Sequence, residues 1–140
     1  MTDLVRAKQL LAGHSLCLCK GEDVITDDGR GISPMMHLLA DGADLNGYAA
    51  ADLIVGKAAA MLFTLAGVAA VHGKVMSSAA KSYLEQGGIV CSFDTLTERI
   101  INRAGTDVCP MEKTVADIDD PAKGYTALRQ KLAEMRNQHG

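Results

Sequence analysis

The fold turns on the stretch AAADLIVGKAAAMLFTLA, residues 49–66, whose apolar side chains would surround a helix instead of forming a single stripe. That distribution predicts a central helix from Ala49 to Ala66, packed on several sides and closed by Gly67. Alanine dominates the run, and Asp52, Gly56 and Lys57 interrupt it. A membrane-spanning helix needs about 20 predominantly apolar residues without central charges, so the reading is a buried core helix.

Upstream of it, Leu4, Val5, Ala7, Leu10 and Leu11 are spaced helically and stop before Gly13. From His14 the pattern alternates, with His14, Leu16 and Leu18 on one face and Ser15, Cys17 and Cys19 on the other. The turn Lys20-Gly21-Glu22-Asp23 and a short strand Val24 to Thr26 complete a hairpin. Asp27 to Gly31 reads as a loop, and Ser33-Pro34 opens a helix through Leu39 with the serine as its cap.

Downstream, Val68 to Val75 reads as a strand, Ser77-Ser78 caps a helix over Ala79 to Gln86, and Ile89 to Phe93 is the next strand. Thr97 to Arg103 reads as a helical turn. Cys109-Pro110-Met111-Glu112 opens a helix through Ile118, which Pro121 breaks. Tyr125, Leu128, Leu132 and Met135 mark a terminal amphipathic helix over Ala122 to Met135. This order predicts one α/β domain over 1–140, its hairpin antiparallel and the strands around the capped helix parallel, with the tail 136–140 fraying.

Of 140 residues, 48% are apolar and 22% charged, which excludes a disordered chain. Lys and Arg number 14 against 17 Asp and Glu, a net charge of -3. No broad basic surface offsets phosphate repulsion, so nucleic acid is excluded as a main partner. The N-terminus lacks the charge order of a secretory signal, and the cysteines at 17, 19, 91 and 109 are expected as reduced thiols in a cytoplasm.

The strongest chemical constellation is Cys109-Pro110-Met111-Glu112. Proline at a first helical turn places Cys109 at the cap, where unpaired N–H groups and the helix dipole favour thiolate. Cys109 is then a nucleophile or anion contact, or it only caps the helix while Glu112 reaches back to a backbone N–H. Lys57, amid Leu53, Ile54, Ala60 and Met61, either snorkels to solvent or binds an anion from a pocket. Asp52, five positions earlier, is a poor helical mate for it. Arg30, framed by Gly29 and Gly31, and Arg103, before Ala104-Gly105, are loop arginines able to grip a carboxylate or phosphate.

No cofactor fingerprint is present, since Gly29 to Pro34 fits neither a phosphate loop nor a dinucleotide motif. Cys17-x-Cys19 has no second close pair to complete a zinc site, so no metal is expected. His14, His37 and His72 lack spaced partners and read as structural, and Ser77-Ser78 as a cap.

Gly29-Arg30-Gly31, Ala50 to Ala60, Ile101-Asn102-Arg103-Ala104-Gly105 and Cys109-Pro110-Met111-Glu112-Lys113 occur in an order that resembles a small prokaryotic domain-of-unknown-function family grouped with the cytidine-deaminase-like fold. The resemblance covers roughly Leu4 to Leu132 and implies a three-layer α/β/α fold around a mixed sheet. Zinc deaminases need His or Cys two residues before a Glu at one helix start and Pro-Cys-x-x-Cys at the next. With the central helix opening at Tyr48 to Asp52 and the next at Val75 to Ala79, neither ligand set is supplied. The resemblance therefore implies the architecture without zinc-dependent deamination.

Two functions follow as expectations. One is a metal-independent site for an anionic or nucleotide-like small molecule, with Cys109 as nucleophile or anion contact, Glu112 or Asp52 as acid/base, and Arg30, Lys57 and Arg103 fixing negative charge. The other is a non-catalytic homo-oligomer or partner-binding module, its seven methionines filling core gaps or furnishing a contact surface. Convergence of the six side chains on one crevice separates them.

Overall fold

The computed structural model describes residues 2–102 and 105–139. Helix α1 (Asp3–Leu10) leads into the hairpin β1 (Leu16–Lys20) and β2 (Asp23–Asp27), whose antiparallel register sets Leu18 opposite Ile25. Helix α2 (Ser33–Ala40) starts with Pro34 in its first turn, but its cap residue is Ile32 and no side chain completes it, so Ser33 does not serve as the cap.

The stretch 49–66 is not one helix. Ala49–Val55 forms strand β3, and helix α3 runs from Lys57 to Ala66, with Gly56 between them as the N-cap residue. Strand β3 pairs with β1 on one side and with β4 on the other, and from Ala49 to Asp52 both its faces are covered, while Leu53 and Ile54 are exposed. A strand buried on both faces has no reason to alternate, and its apolar run cannot be told from a buried helix by periodicity. Gly67 does close α3, in the left-handed conformation at φ +79° that favours glycine.

Strand β4 (Ala70–Ser77), helix α4 (Ser78–Gln86) and strand β5 (Val90–Thr97) follow, so β3, β4 and β5 are parallel and the sheet order is β2-β1-β3-β4-β5. Ser77 caps α4 as expected, its Oγ accepting from Ala80 N at 3.1 Å. Strand β5 extends to Thr97, so the helical turn expected from there does not start, and Ile101 bridges Val108 instead. Helix α5 (Pro110–Val115) is short, and Pro121 opens helix α6 (Pro121–His139) at the position where proline's fixed φ is an advantage.

The layers are α/β/α. Helix α1 lies alone on one face, burying Ala7 and Leu11 against Cys17, Cys19 and Ala51. The other helices cover the opposite face around a main core that includes Phe63, Met61, Met76, Leu84, Val115 and Leu128. Among the described residues, no helix is long and apolar enough to cross a membrane.

Two lateral rows of the sheet place its polar residues. Asp27, Leu16, Asp52, Gly73 and Phe93 stand side by side across the five strands on the α2–α6 face. Thr26, Cys17, Ala51, His72 and Ser92 form the adjacent row on the α1 face. Beyond them the register is unchanged, with Ile54 opposite Val75 and Val55 opposite Met76, and both Ala50 and Val55 reach the main core.

Candidate functional site

Helix α3 begins without a capping side chain of its own segment. Its first N–H groups have no intrahelical acceptor, and with the helix dipole they form a positive end. Glu112, in the first turn of α5, supplies the missing acceptors: Oε1 accepts from Lys57 N at 2.7 Å and Oε2 from Ala58 N at 2.9 Å. The approach requires a glycine at position 56, where a Cβ would overlap the Glu112 carboxylate. The side chain of Lys57 completes a reciprocal clamp. Its Nζ donates to Ala116 O at 3.1 Å, at the end of α5, and lies 3.6 Å from Asp119 Oδ1, with 14% of the side chain exposed.

Beside this clamp, the start of α3, the outer face of α4, α5 and residues 98–100 enclose a crevice of about 360 Å³. Lys57 and Arg99 bring positive charge to it, and Glu98, Glu112 and Asp119 negative charge. Tyr83 lines it with its hydroxyl, which donates to Asp119 O at 2.6 Å.

Of the six residues singled out from sequence, Lys57 and Glu112 meet here. Asp52, Cys109 and Arg30 are not among the residues lining the crevice. Cys109 is half-buried against the main core at the start of α5, its N–H donating to Ile100 O at 2.9 Å. Arg30 is exposed in the loop between β2 and α2. Arg103 lies outside the described residues. Arg99 was missed, because an exposed loop arginine carries no local signal that it borders a crevice.

Asp52 sits in the sheet between Leu16 and Gly73 with 8% of its surface exposed. Burial raises its carboxyl from 3.8 to about 7, against the lowering effect of the Ile54 and Leu53 backbone N–H groups. It is a proton-exchanging group near neutral pH, placed apart from the crevice. On the α1 face, the Cys17 and Cys19 sulfurs stand 3.8 Å apart as free thiols. Burial, and then the hydrogen bond with Cys19, push Cys17 up to about 12, so it stays protonated. Among the described residues, no group of three or more His, Cys, Asp or Glu side chains is placed to hold a metal ion.

A family model described as TM1506, domain of unknown function (DUF1893), matches residues 6–132. Among solved structures, a DUF1893 family protein (TM1506) from Thermotoga maritima is similar with a TM-score of 0.82 and 27% sequence identity, over 96% of this chain and 91% of that one. No curated protein matches the chain.

Two outcomes are expected from this geometry. Gly56→Ala displaces the Glu112 carboxylate and strands two part-buried N–H groups, at about 1 kcal/mol each, and Glu112→Ala strands the same groups. In urea unfolding the two substitutions together therefore cost less than the sum of their separate effects, whereas additivity within about 0.5 kcal/mol removes the contact from the account. The second outcome concerns Asp52. Its folded pKa is the raised one, so its contribution is fully present below about 3.8 and is lost as pH rises through about 7. The loss approaches about 4 kcal/mol at full ionisation, from roughly 1.4 kcal/mol per pH unit. Asp52→Asn is expected to flatten the fall in stability between about pH 4 and pH 8, and to leave the variant the more stable of the two at the alkaline end. Identical pH profiles for the two proteins contradict this assignment.

Proposed function

The chain belongs to the DUF1893 family, a domain of unknown function, and from the geometry of its crevice we propose that it binds a small anionic molecule, a phosphate or a nucleotide-like monophosphate. The observation that carries the reading is the Glu112 carboxylate on the first N–H groups of α3. The start of that helix already accepts an anion from within the chain, and Lys57 and Arg99 stand at the crevice beside it as candidate contacts for a ligand's negative charge, alongside the carboxylates of Glu98 and Asp119. At about 360 Å³ the space suits a small ligand. Cys109 stands outside the lining, so the proposal assigns binding and no nucleophile.

The grouping of this family with the cytidine-deaminase-like fold belongs to the same proposal at the level of architecture. With the helix boundaries revised, α2 opens at Ser33-Pro34-Met35-Met36 and α3 at Lys57-Ala58-Ala59-Ala60. Neither start offers the His-x-Glu or Pro-Cys-x-x-Cys ligands of the zinc enzymes, so the proposal includes no zinc-dependent deamination.

Titration with inorganic phosphate and with adenosine monophosphate, followed by amide NMR shifts, tests the reading. Saturable shifts are expected at Lys57, Ala58, Arg99 and Glu112, with affinity falling about tenfold in Arg99→Ala. Absence of shifts at those amides with either probe at millimolar concentration overturns it.

One observation favours a second reading, association of copies. Strand β5 is an edge of the sheet, and Val90 on it is 66% exposed, the kind of unpaired apolar edge that promotes pairing between chains. A dimeric mass by light scattering that becomes monomeric in Val90→Lys supports this reading, and a monomeric parent protein refutes it.

A further inference from the structure

The face of the sheet opposite the crevice holds a second cluster. His72, in β4, is 3% exposed, and both of its ring nitrogens meet side chains of β5. Nδ1 lies 2.7 Å from Ser92 Oγ, and Nε2 lies 3.3 Å from Asp94 Oδ1. The strand period produces this arrangement: Ser92 is the register partner of His72, and Asp94, two residues on, points to the same face.

The carboxylate favours one tautomer. Asp94 can only accept, so Nε2 carries the proton and Nδ1 presents its lone pair to Ser92, whose hydroxyl donates to it. Burial, followed by the charge of Lys8 on α1, lowers the pKa of His72 against the opposing pull of Asp94 and keeps the ring neutral. A nucleophile within hydrogen-bond reach of a base that a third group orients is the arrangement by which serine is activated in acyl transfer. Access exists as well. Helix α1 packs across β1, β3 and β4, while Ser92 on the edge strand β5 is half-buried and its same-face neighbour Val90 is 66% exposed.

We propose that Ser92, His72 and Asp94 form a reactive site, independent of the crevice, in which Ser92 is the nucleophile toward small carboxylic esters with an apolar acyl group. Ser92 Oγ bonds to the carbonyl carbon as its proton passes to His72 Nδ1. The bond to the leaving alcohol oxygen then breaks, and that oxygen takes the proton from His72. A water oxygen then bonds to the acyl carbon as its proton passes to Nδ1, the bond from that carbon to Ser92 Oγ breaks to release the carboxylic acid, and His72 returns the proton to Oγ. The exposed Val90 offers a surface to the acyl chain, and β5, as the last strand, has alternate backbone N–H groups facing away from β4 that are available to a developing oxyanion.

The test is labelling of the folded protein with phenylmethanesulfonyl fluoride, and turnover of p-nitrophenyl acetate, with the adduct located by peptide mass spectrometry. One adduct is expected, on Ser92, formed faster than on the exposed Ser78 and Ser82. Ser92→Ala abolishes it, and His72→Gln slows it by about a hundredfold or more. Asp94→Asn, at a side chain 58% exposed and so safe for folding, slows it about tenfold through loss of the tautomer lock. Ser92 labelling no faster than at Ser78 and Ser82, or unchanged rates in His72→Gln and Asp94→Asn, overturns the proposal and leaves the trio a structural hydrogen-bond set.

Discussion

The Glu112 carboxylate on the first N–H groups of α3 joins the two halves of this molecule. One half is the sheet with its crossover helices, and the other is the C-terminal pair α5 and α6, which has no strand of its own. Apolar contact through Met111, Val115 and Leu128 brings the second half onto the first, but such contact has no direction. Direction comes from the carboxylate, whose two oxygens meet two adjacent N–H groups, and from Lys57, whose Nζ returns to the other end of α5. Gly56 makes the approach possible, and the crevice exists because the clamp holds α5 beside the start of α3.

The sheet handles its polar groups with similar economy. Asp52 and His72 both occupy interior strands, on adjacent rows and opposite faces, where an unpaired group would cost several kcal/mol by desolvation, about 1–3 for a neutral donor or acceptor and more for a charge. Among the described residues, no fully buried side-chain N or O atom lacks a hydrogen-bond partner. The two residues meet the cost differently. His72 gains side-chain partners from the neighbouring strand, while Asp52 relies on backbone N–H groups and on a raised pKa that lets it carry a proton. Cys17 on the α1 face takes a third route, remaining a neutral thiol in a small apolar layer.

Where the amino-acid pattern was sufficient, the determinants were local. The alternation in the hairpin, Ser77 as the α4 cap, Gly67 as the end of α3 and the spacing of Leu128 and Leu132 in α6 each act within a few residues. The reading failed at 49–66, where alanine fits a buried strand and a buried helix equally well and only the pairing of β3 with both neighbours decides. At Pro121 it was off by one residue, since the terminal helix expected from Ala122 begins on the proline itself, which is suited to a first helical position.

The candidate sites divide along the same line. Lys57 and Glu112 were legible as chemically unusual residues, yet nothing within either segment says that they meet, because 55 positions separate them and the contact forms only when α5 docks. Ser92 and Asp94 share a face by strand period alone, but His72 joins them through β4–β5 register, which packing and crossover set. The sequence by itself determined the α/β class, the hairpin, the capped helix and the amphipathic end, because turns, caps and periodicity are short-range physics. Tertiary structure alone decided where strand β3 becomes helix α3 and which distant side chains share a site, because those outcomes depend on partners that no local segment contains.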